Sequence, residues 1–197
     1  MTITDRPCGR VRARFARAPD LADLLAISGS LRAASTNSAL IAALAANAPA
    51  DCRVTIYDGL GRLPIFNPDD EGERTPRSVA SLIDAVTRAD GIIVSCPEYA
   101  HGVPGGMKNA LDWLVSRDAA VGKPAMLVHA SPRSLYARAA LAEIMRTMSF
   151  ALYEDTPLEI ALLGKKPPEV EAILAEAASR QPMRDAVQSF AGFIRDR

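Results

Sequence analysis

The chain has 197 residues, of which 49% are hydrophobic and 23% charged, and its formal net charge is zero. These values are typical of a globular protein of one domain, and they leave no strong basic field for nucleic acid. No apolar run approaches the roughly 20 residues that span a bilayer, so no membrane segment is predicted. Cys8, Cys52 and Cys96 are scattered and odd in number, and the chain has only two histidines. We therefore expect a reducing cytoplasm, with neither a disulfide framework nor a metal site.

The first twenty residues differ in composition from the rest of the chain. They contain five arginines and show little apolar periodicity. A secretory signal peptide needs an apolar stretch, and residues 1–20 do not contain one. We interpret residues 1–20 as a solvated, disordered extension and residues 21–197 as the folded domain. A basic arm that contacts a partner or an anionic surface is the alternative interpretation.

From Leu21 onward, short apolar runs typical of β-strands alternate with helical patterns. Strands are predicted at residues 24–27, 53–57, 91–96, 125–129 and 158–162. Helices are predicted at 37–47, 76–89, 106–116, 135–148 and 169–195, the last with a break near Pro182. The strands are continuously apolar, which indicates that both faces of their sheet are covered. The pattern predicts an α/β three-layer sandwich with a five-stranded parallel sheet.

Ligands of such sheets bind at the carboxyl ends of the strands. The loop after the first predicted strand, residues 28–38, reads SGSLRAASTNS and leads directly into a helix. Free backbone N–H groups at a helix start, together with hydroxyls and an arginine, suit a phosphate monoester. The glycine spacing matches neither the triphosphate loop nor the dinucleotide fingerprint. The alternative is that Ser35, Thr36 or Asn37 simply caps the helix.

The loop after the third predicted strand, residues 97–113, reads PEYAHGVPGGMKNALDW. The two loops together resemble the NADPH-dependent FMN reductase family, which includes bacterial quinone and chromate reductases. The family pattern G-S-L-R-x-x-S-x-N is matched at Gly29, Ser30, Leu31, Arg32, Ser35 and Asn37. The later pattern P-E-Y-N-x-x-x-P-G-x-L-K-N-A-I-D-W is matched at Pro97, Glu98, Tyr99, Pro104, Gly105, Lys108, Asn109, Ala110, Asp112 and Trp113.

The resemblance implies a flavodoxin-like fold of strand order 2-1-3-4-5 and an enzyme that uses FMN with NADPH or NADH. Hydride would pass from the nicotinamide to flavin N5, and electrons then to a quinone, free flavin, azo compound or metal oxyanion. FMN itself carries this chemistry, so no catalytic side chain is expected. A homodimer or homotetramer is also implied. The implied cofactor-binding residues are Gly29, Ser30, Arg32, Ser35, Thr36, Asn37, Pro97, Glu98, Tyr99, Ala100, His101 and Ser131.

Other parts of the matched segments are expected to serve structure. The resemblance gives Lys108, Asn109, Asp112 and Trp113 a role in packing or in a dimer interface. The segment at residues 63–69 resembles the family's segment that reaches a neighbouring subunit near the flavin. Cys96, beside the third-strand loop, is expected to be a buried, inert thiol.

The chain departs from the family at two places. Ala100 stands where the family has asparagine, and His101 after it could replace the missing amide, meet substrate or be solvated. The loop at residues 130–138 lacks the family's glycines, and Arg133 or Arg138 there could meet an anionic group such as a nicotinamide cofactor phosphate, or be a surface arginine. These departures keep open an FMN-binding electron carrier or regulatory protein without nicotinamide turnover. A phosphate-binding enzyme of another class that shares only the fold is the remaining alternative.

Overall fold

The computed structural model describes residues 21–197, and the extension predicted at residues 1–20 lies outside the described residues. Five strands occur in this range: β1 Ala22–Ser28, β2 Cys52–Tyr57, β3 Gly91–Ser95, β4 Pro124–His129 and β5 Ala151–Glu159. The α-helices of the same range are α1 Thr36–Ala46, α2 Arg77–Arg88, α3 Gly105–Asp112, α4 Leu135–Thr147, α5 Pro167–Ala175 and α6 Ala177–Arg195. Strands and helices alternate along the chain, as predicted.

The strands form one parallel sheet of order β2-β1-β3-β4-β5, which confirms the predicted order. The central strand β3 is buried along its whole length. Its apolar run fits a strand that is covered on both faces. The chain starts at β1, runs outward to the edge strand β2, and then crosses to the other side of β1 to form β3, β4 and β5. The direction of strand order therefore reverses between β1 and β3. In parallel sheets the carboxyl ends of the strands at such a point form a crevice.

Two separate apolar clusters cover the two faces of the sheet. Helices α1, α5 and α6 pack on one face, where Leu40 and Phe190 are fully buried. Helices α2, α3 and α4 pack on the other face, where Leu82 and Met145 are fully buried. This confirms the three-layer arrangement. In the described part of the chain, no helix is both long enough and apolar enough to cross a bilayer.

Two predicted elements at the C-terminal end were wrong in their bounds. The fifth strand begins at Ala151 rather than residue 158, because β5 is an edge strand whose exposed polar residues interrupt the apolar pattern. The apolar run at 158–162 instead continues past the strand, where Ile160 and Leu162 donate backbone hydrogen bonds to His129 and Ala130.

The predicted helix break was also misplaced. The chain is extended at Glu176 (ψ 146°), which separates α5 from α6, and Pro182 lies inside α6. The bend at Glu176 lets Leu174 on one side and Met183 on the other both bury in the same core. On the opposite face, α3 ends at Asp112 rather than at residue 116, since the chain continues in turns after Trp113.

Candidate functional site

A cleft of about 1010 Å³ opens at the carboxyl edge of the sheet. The loops after β1, β3, β4 and β5 line it. Its volume is at the upper end of the range common for ligand pockets. Of the twelve predicted cofactor residues, ten line this cleft: Ser30, Arg32, Ser35, Thr36, Asn37, Pro97, Glu98, Tyr99, His101 and Ser131. Gly29 and Ala100 are not part of the lining.

The start of α1 offers the cleft a set of hydrogen-bond donors. Ser35 is the N-cap, and its Oγ accepts a hydrogen bond from the backbone N–H of Ser38 at 3.2 Å. Ser35 therefore caps α1, as the alternative interpretation of this loop expected. The backbone N–H groups of Thr36 and Asn37 find no acceptor among residues 21–197. These two groups, together with the positive end of the helix dipole, leave the helix start open to an anion.

Arg32 adds a positive charge beside the helix start. Its side chain is exposed in the cleft and forms no ion pair with any described residue. The preceding turn is built locally, with the Ser30 amide donating to Ser28 Oγ at 3.3 Å and the Arg32 amide to Ser30 Oγ at 3.4 Å. The loop is thus shaped by its own hydroxyls, while the guanidinium is available for a ligand.

Asn37 holds the start of α1 against the sheet. Its Oδ1 accepts a hydrogen bond from Ser95 Oγ at 2.9 Å, and both side chains are buried. A buried amide oxygen would be unsatisfied without this hydroxyl, so the pair fixes the distance between the loop after β1 and the end of β3. The side-chain oxygen of Asn37 therefore has a structural role, although the residue also lines the cleft.

The loop after β3 contains a tight turn with an unusual residue at its tip. Tyr99 and Gly102 exchange two backbone hydrogen bonds, of 3.2 and 2.9 Å. Ala100 (φ 50°) and His101 (φ 57°) both adopt the left-handed conformation between them. Two such residues define a type I′ turn, which favours asparagine and glycine. Ala100 is therefore strained. The left-handed backbone at this position explains why the family pattern has asparagine here.

Two contacts join this loop to α4. Glu98 Oε2 accepts a hydrogen bond from the backbone N–H of Ala137 at 2.9 Å, in the first turn of α4. Ser134, the N-cap residue of α4, makes no side-chain capping bond, so Glu98 takes over that function. The ring of His101 stacks on Tyr136 at 4.3 Å between centroids. Glu98 and Ala137 are 39 residues apart, and nothing in the sequence indicates their contact.

Gly29 supports the site from behind the cleft. Its N–H donates to Ser95 O at 2.8 Å. A Cβ at this position would lie 2.7 Å from Cys96 Sγ, so glycine is needed for close packing of the two loops. Burial raises the pKa of the Cys96 thiol to about 12, which agrees with the predicted inert thiol.

The glycine-free loop after β4 is held by Arg138. Its guanidinium pairs with Glu159 at 2.5 Å and also donates to the carbonyl oxygen of Ser131. Ser131 Oγ in turn accepts from the Arg133 amide at 3.1 Å. Nearby His129 is half-buried, and this burial together with the charge of Arg138 lowers its pKa to about 4. Arg138 is thus committed to the protein, whereas the Arg133 side chain lines the cleft.

Sequence reasoning missed one wall of the cleft. The segment after β5 and the first turns of α5 contribute Leu163, Gly164, Lys165, Pro167, Val170 and Glu171 to the lining. These residues form no recognisable motif. They reach the cleft only because β5 lies beside β4 and directs its following loop to the same edge of the sheet.

Asn109 and Trp113 fix the segment at residues 63–69, in agreement with their predicted structural role. Asn109 Oδ1 accepts from the Phe66 amide at 2.8 Å, and Asn109 Nδ2 donates to Pro64 O at 2.8 Å. Trp113 is fully buried and donates from Nε1 to the same carbonyl at 2.8 Å. Lys108 forms an ion pair with Asp112 on the surface of α3, at 2.5 Å.

Comparison with known proteins gives one consistent result. The model of the NADPH-dependent FMN reductase family matches residues 22–154. A quinone reductase from Escherichia coli (strain K12) is 34% identical over 107 residues, which are 53% of this chain and 57% of that protein. The NADH:(hydroxy)cinnamate reductase subunit CrdA of Vibrio ruber is 34% identical over 145 residues, 72% of this chain and 70% of that one.

Among solved structures, the flavoenzyme NAD(P)H:(acceptor) oxidoreductase FerB from Paracoccus denitrificans has a TM-score of 0.76 at 23% sequence identity. The match covers 89% of this chain and 98% of that one, and it shows a shared fold. The chain spans little more than half the length of the E. coli quinone reductase that it matches. The family match covers the cleft-lining loops after β1, β3 and β4 and most of the sheet, so the chain belongs to the NADPH-dependent FMN reductase family.

Proposed function

We propose that this protein is an FMN-dependent NAD(P)H oxidoreductase that reduces a small-molecule acceptor, with a quinone as the first candidate. The observation that carries the proposal is the donor set at the start of α1. Two backbone N–H groups without acceptors in the described chain, a helix N-terminus and Arg32, which forms no ion pair with a described residue, line one large cleft. This set suits the phosphate of FMN.

The residues present fit the whole cofactor as well as its phosphate. The cleft is large enough for a flavin mononucleotide, and its lining continues from α1 to Pro97 and Tyr99 beyond β3. Bound FMN would accept hydride from a nicotinamide and pass electrons to the acceptor. The protein would orient it: Arg32 and the α1 amides would hold the phosphate, and the turn closed by Tyr99 and Gly102 would flank the ring.

The names of the relatives guide the choice of acceptor. Several are quinone reductases, and one is an NAD(P)H-dependent FMN reductase from Pseudomonas aeruginosa. We extend that activity to this chain as part of the proposal. We also propose a reducing cytoplasmic location, because Cys52 and Cys96 are free and buried.

A homodimer is part of the proposal. Large apolar side chains lie exposed on the surface, including Ile65 (82%), Leu135 (64%) and Tyr136 (60%). Tyr136 stacks on His101 at the cleft, so this apolar surface borders the site. Light scattering coupled to gel filtration tests the proposal: a mass near twice 21.0 kDa is expected, and a monomeric mass would refute it.

The first experiment is an absorption spectrum of the purified protein with added FMN, followed by NADPH or NADH under anaerobic conditions. Bound flavin that either nicotinamide bleaches, and that a quinone then reoxidises, supports the proposed function. Bound flavin that neither nicotinamide bleaches would point instead to an electron carrier or regulator. Failure to bind FMN would contradict the proposal.

The phosphate site has its own test. Arg32→Ala should weaken FMN binding by about tenfold to a hundredfold, the range expected for a lost charge-assisted hydrogen bond. Binding of riboflavin, which lacks the phosphate, should stay unchanged. Arg184→Ala is the matched control, since Arg184 is exposed on α6, forms no ion pair with a described residue and lies outside the cleft. Equal weakening of FMN and riboflavin binding would remove Arg32 from the phosphate site.

A further inference from the structure

The cleft extends well beyond the donor set at α1. Its far side is built from the loop after β4 and the segment after β5, which are adjacent in the sheet. The two segments are joined beyond the strands by hydrogen bonds from Ile160 to His129 O (2.9 Å) and from Leu162 to Ala130 O (3.0 Å). They therefore form one continuous wall of the cleft.

Each of these two segments places one basic side chain in the lining. The last of these hydrogen bonds joins Leu162 to Ala130. Arg133 lies three residues after Ala130, and Lys165 lies three residues after Leu162. The backbone at both residues is fixed, since the Arg133 amide donates to Ser131 Oγ and the Lys165 amide to Leu162 O at 3.2 Å. Neither side chain forms an ion pair with any residue from 21 to 197.

The acidic groups of the cleft do not neutralise this wall. Glu98 lines the cleft from the loop after β3 and is not part of this wall, and the charge of Glu159 is offset by its ion pair with Arg138. Glu171 on α5 is the carboxylate of the lining that has no recorded partner among the described residues. Among the described residues that line this wall, Glu171 offsets one of the two cations Arg133 and Lys165, so the wall has a net positive charge even when Arg32 is left out.

We propose that Arg133 and Lys165 form a second anion subsite of the cleft, separate from the donor set at α1, which binds the phosphate, carboxylate or sulfonate group of a molecule that exchanges electrons with the flavin. The proposal rests on the proposed function. Adjacent strands lie about 4.8 Å apart, so the ends of β4 and β5 lie about 10–14 Å from the end of β1. The two donor sets follow different strands, and we assign the second set to a second anion.

Two sources can supply that anion: the phosphate groups of the nicotinamide cofactor, or an acidic group on the acceptor. The test measures equilibrium binding by calorimetry to the FMN-loaded protein. The ligands are NADP⁺, NAD⁺, a naphthoquinone sulfonate and the uncharged parent naphthoquinone. The variants are Arg133→Ala, Lys165→Ala and the double variant. Lys166→Ala is the matched control, because it removes the same charge one residue further along, outside the lining.

The double variant should weaken binding of at least one anionic ligand about fivefold or more, with unchanged binding of the uncharged quinone. Weakening of NADP⁺ alone assigns the subsite to the 2′-phosphate, and weakening of both nicotinamides assigns it to the pyrophosphate. Weakening of the sulfonated quinone alone assigns it to the acceptor. In the control, all four affinities should stay at the wild-type value.

Two results would overturn the proposal. One is that no anionic ligand binds more weakly to the double variant than to the control. The other is that FMN binding weakens while riboflavin binding does not, since Arg133 and Lys165 would then belong to the FMN phosphate site. If the wild type binds no FMN, the proposed function fails, and the same calorimetry on the unloaded protein still decides between an anion subsite and none.

Discussion

Replacing Gly29 with alanine would place a methyl group in the space that the Cys96 thiol occupies. The new Cβ would lie 2.7 Å from Cys96 Sγ, and 3.3 and 3.4 Å from Cys96 Cα and Cβ. Cys96 is buried and cannot swing into solvent, so the loops after β1 and β3 would have to separate. Overpacking of this kind lowers the free energy of unfolding by about 1–3 kcal/mol. In a chain of this size, each kcal/mol corresponds to a Tm change of about 2–4 °C.

Removing the sulfur should reverse much of that loss. Cys96→Ala alone leaves a small cavity and should cost about 1 kcal/mol. In the double variant, the new methyl group at position 29 fills that cavity, and its nearest remaining contact is the Cα atom of residue 96 at 3.3 Å. We therefore expect a favourable coupling free energy of about 1–2 kcal/mol in a double-mutant cycle.

Urea unfolding of the four proteins without FMN measures the cycle. Gly105→Ala is the matched control, since a Cβ there meets no atom within 4 Å at the start of α3, and alanine should leave stability equal or slightly higher. Additive effects of Gly29→Ala and Cys96→Ala would refute the packing argument. So would a Gly29→Ala variant as stable as the wild type.

Three further predictions concern the turn, the buried tryptophan and pH. Ala100→Asn should raise the free energy of unfolding, measured with urea, by about 0.5–1 kcal/mol, because asparagine tolerates the left-handed conformation. Ala139→Asn, at an exposed position of α4, should lower it. The same sign for both changes would contradict the turn assignment. Asn109→Ala should free the segment at residues 63–69 and lower the free energy of unfolding by about 2 kcal/mol. The fluorescence of Trp113, the sole tryptophan of the chain, should shift to the red. An unshifted spectrum would mean that the segment stays in place. The pKa of His129 is lowered to about 4 by burial, so on acidification the unfolded chain takes up the proton first. The free energy of unfolding should therefore fall by about 1 kcal/mol between pH 7 and pH 5.5. His129→Gln should lack this part of the pH dependence, and an equal pH dependence in the variant and the wild type would refute the prediction.

The sequence predicted the sheet and the open start of α1 because their signals are local. An apolar run such as residues 91–95 indicates a buried strand by itself, and a serine-rich loop before an alanine-rich helix indicates an open helix start. The edge strand β5 has no such signal, since its exposed side chains are polar. Its predicted bounds were therefore wrong.

The contacts of Glu98 show what local patterns cannot give. The resemblance placed Glu98 among the cofactor residues, and the structure shows one of its oxygens bonded to the amide of Ala137. Ala100 was likewise placed among the cofactor residues, but it lies at the tip of a strained turn and outside the lining. Both findings depend on how the loop after β3 folds back toward α4.

The sequence by itself determined the fold class, the strand order through the family resemblance, and the loops after β1 and β3 as parts of the candidate site. Each of these follows from residues that are neighbours in the chain. Only the tertiary structure decided that Arg138 is paired while Arg133 forms no ion pair with a described residue, and that Lys165 shares the cleft with Arg32. Those facts depend on β5 lying beside β4, which brings together side chains that are distant in sequence and that carry no motif of their own.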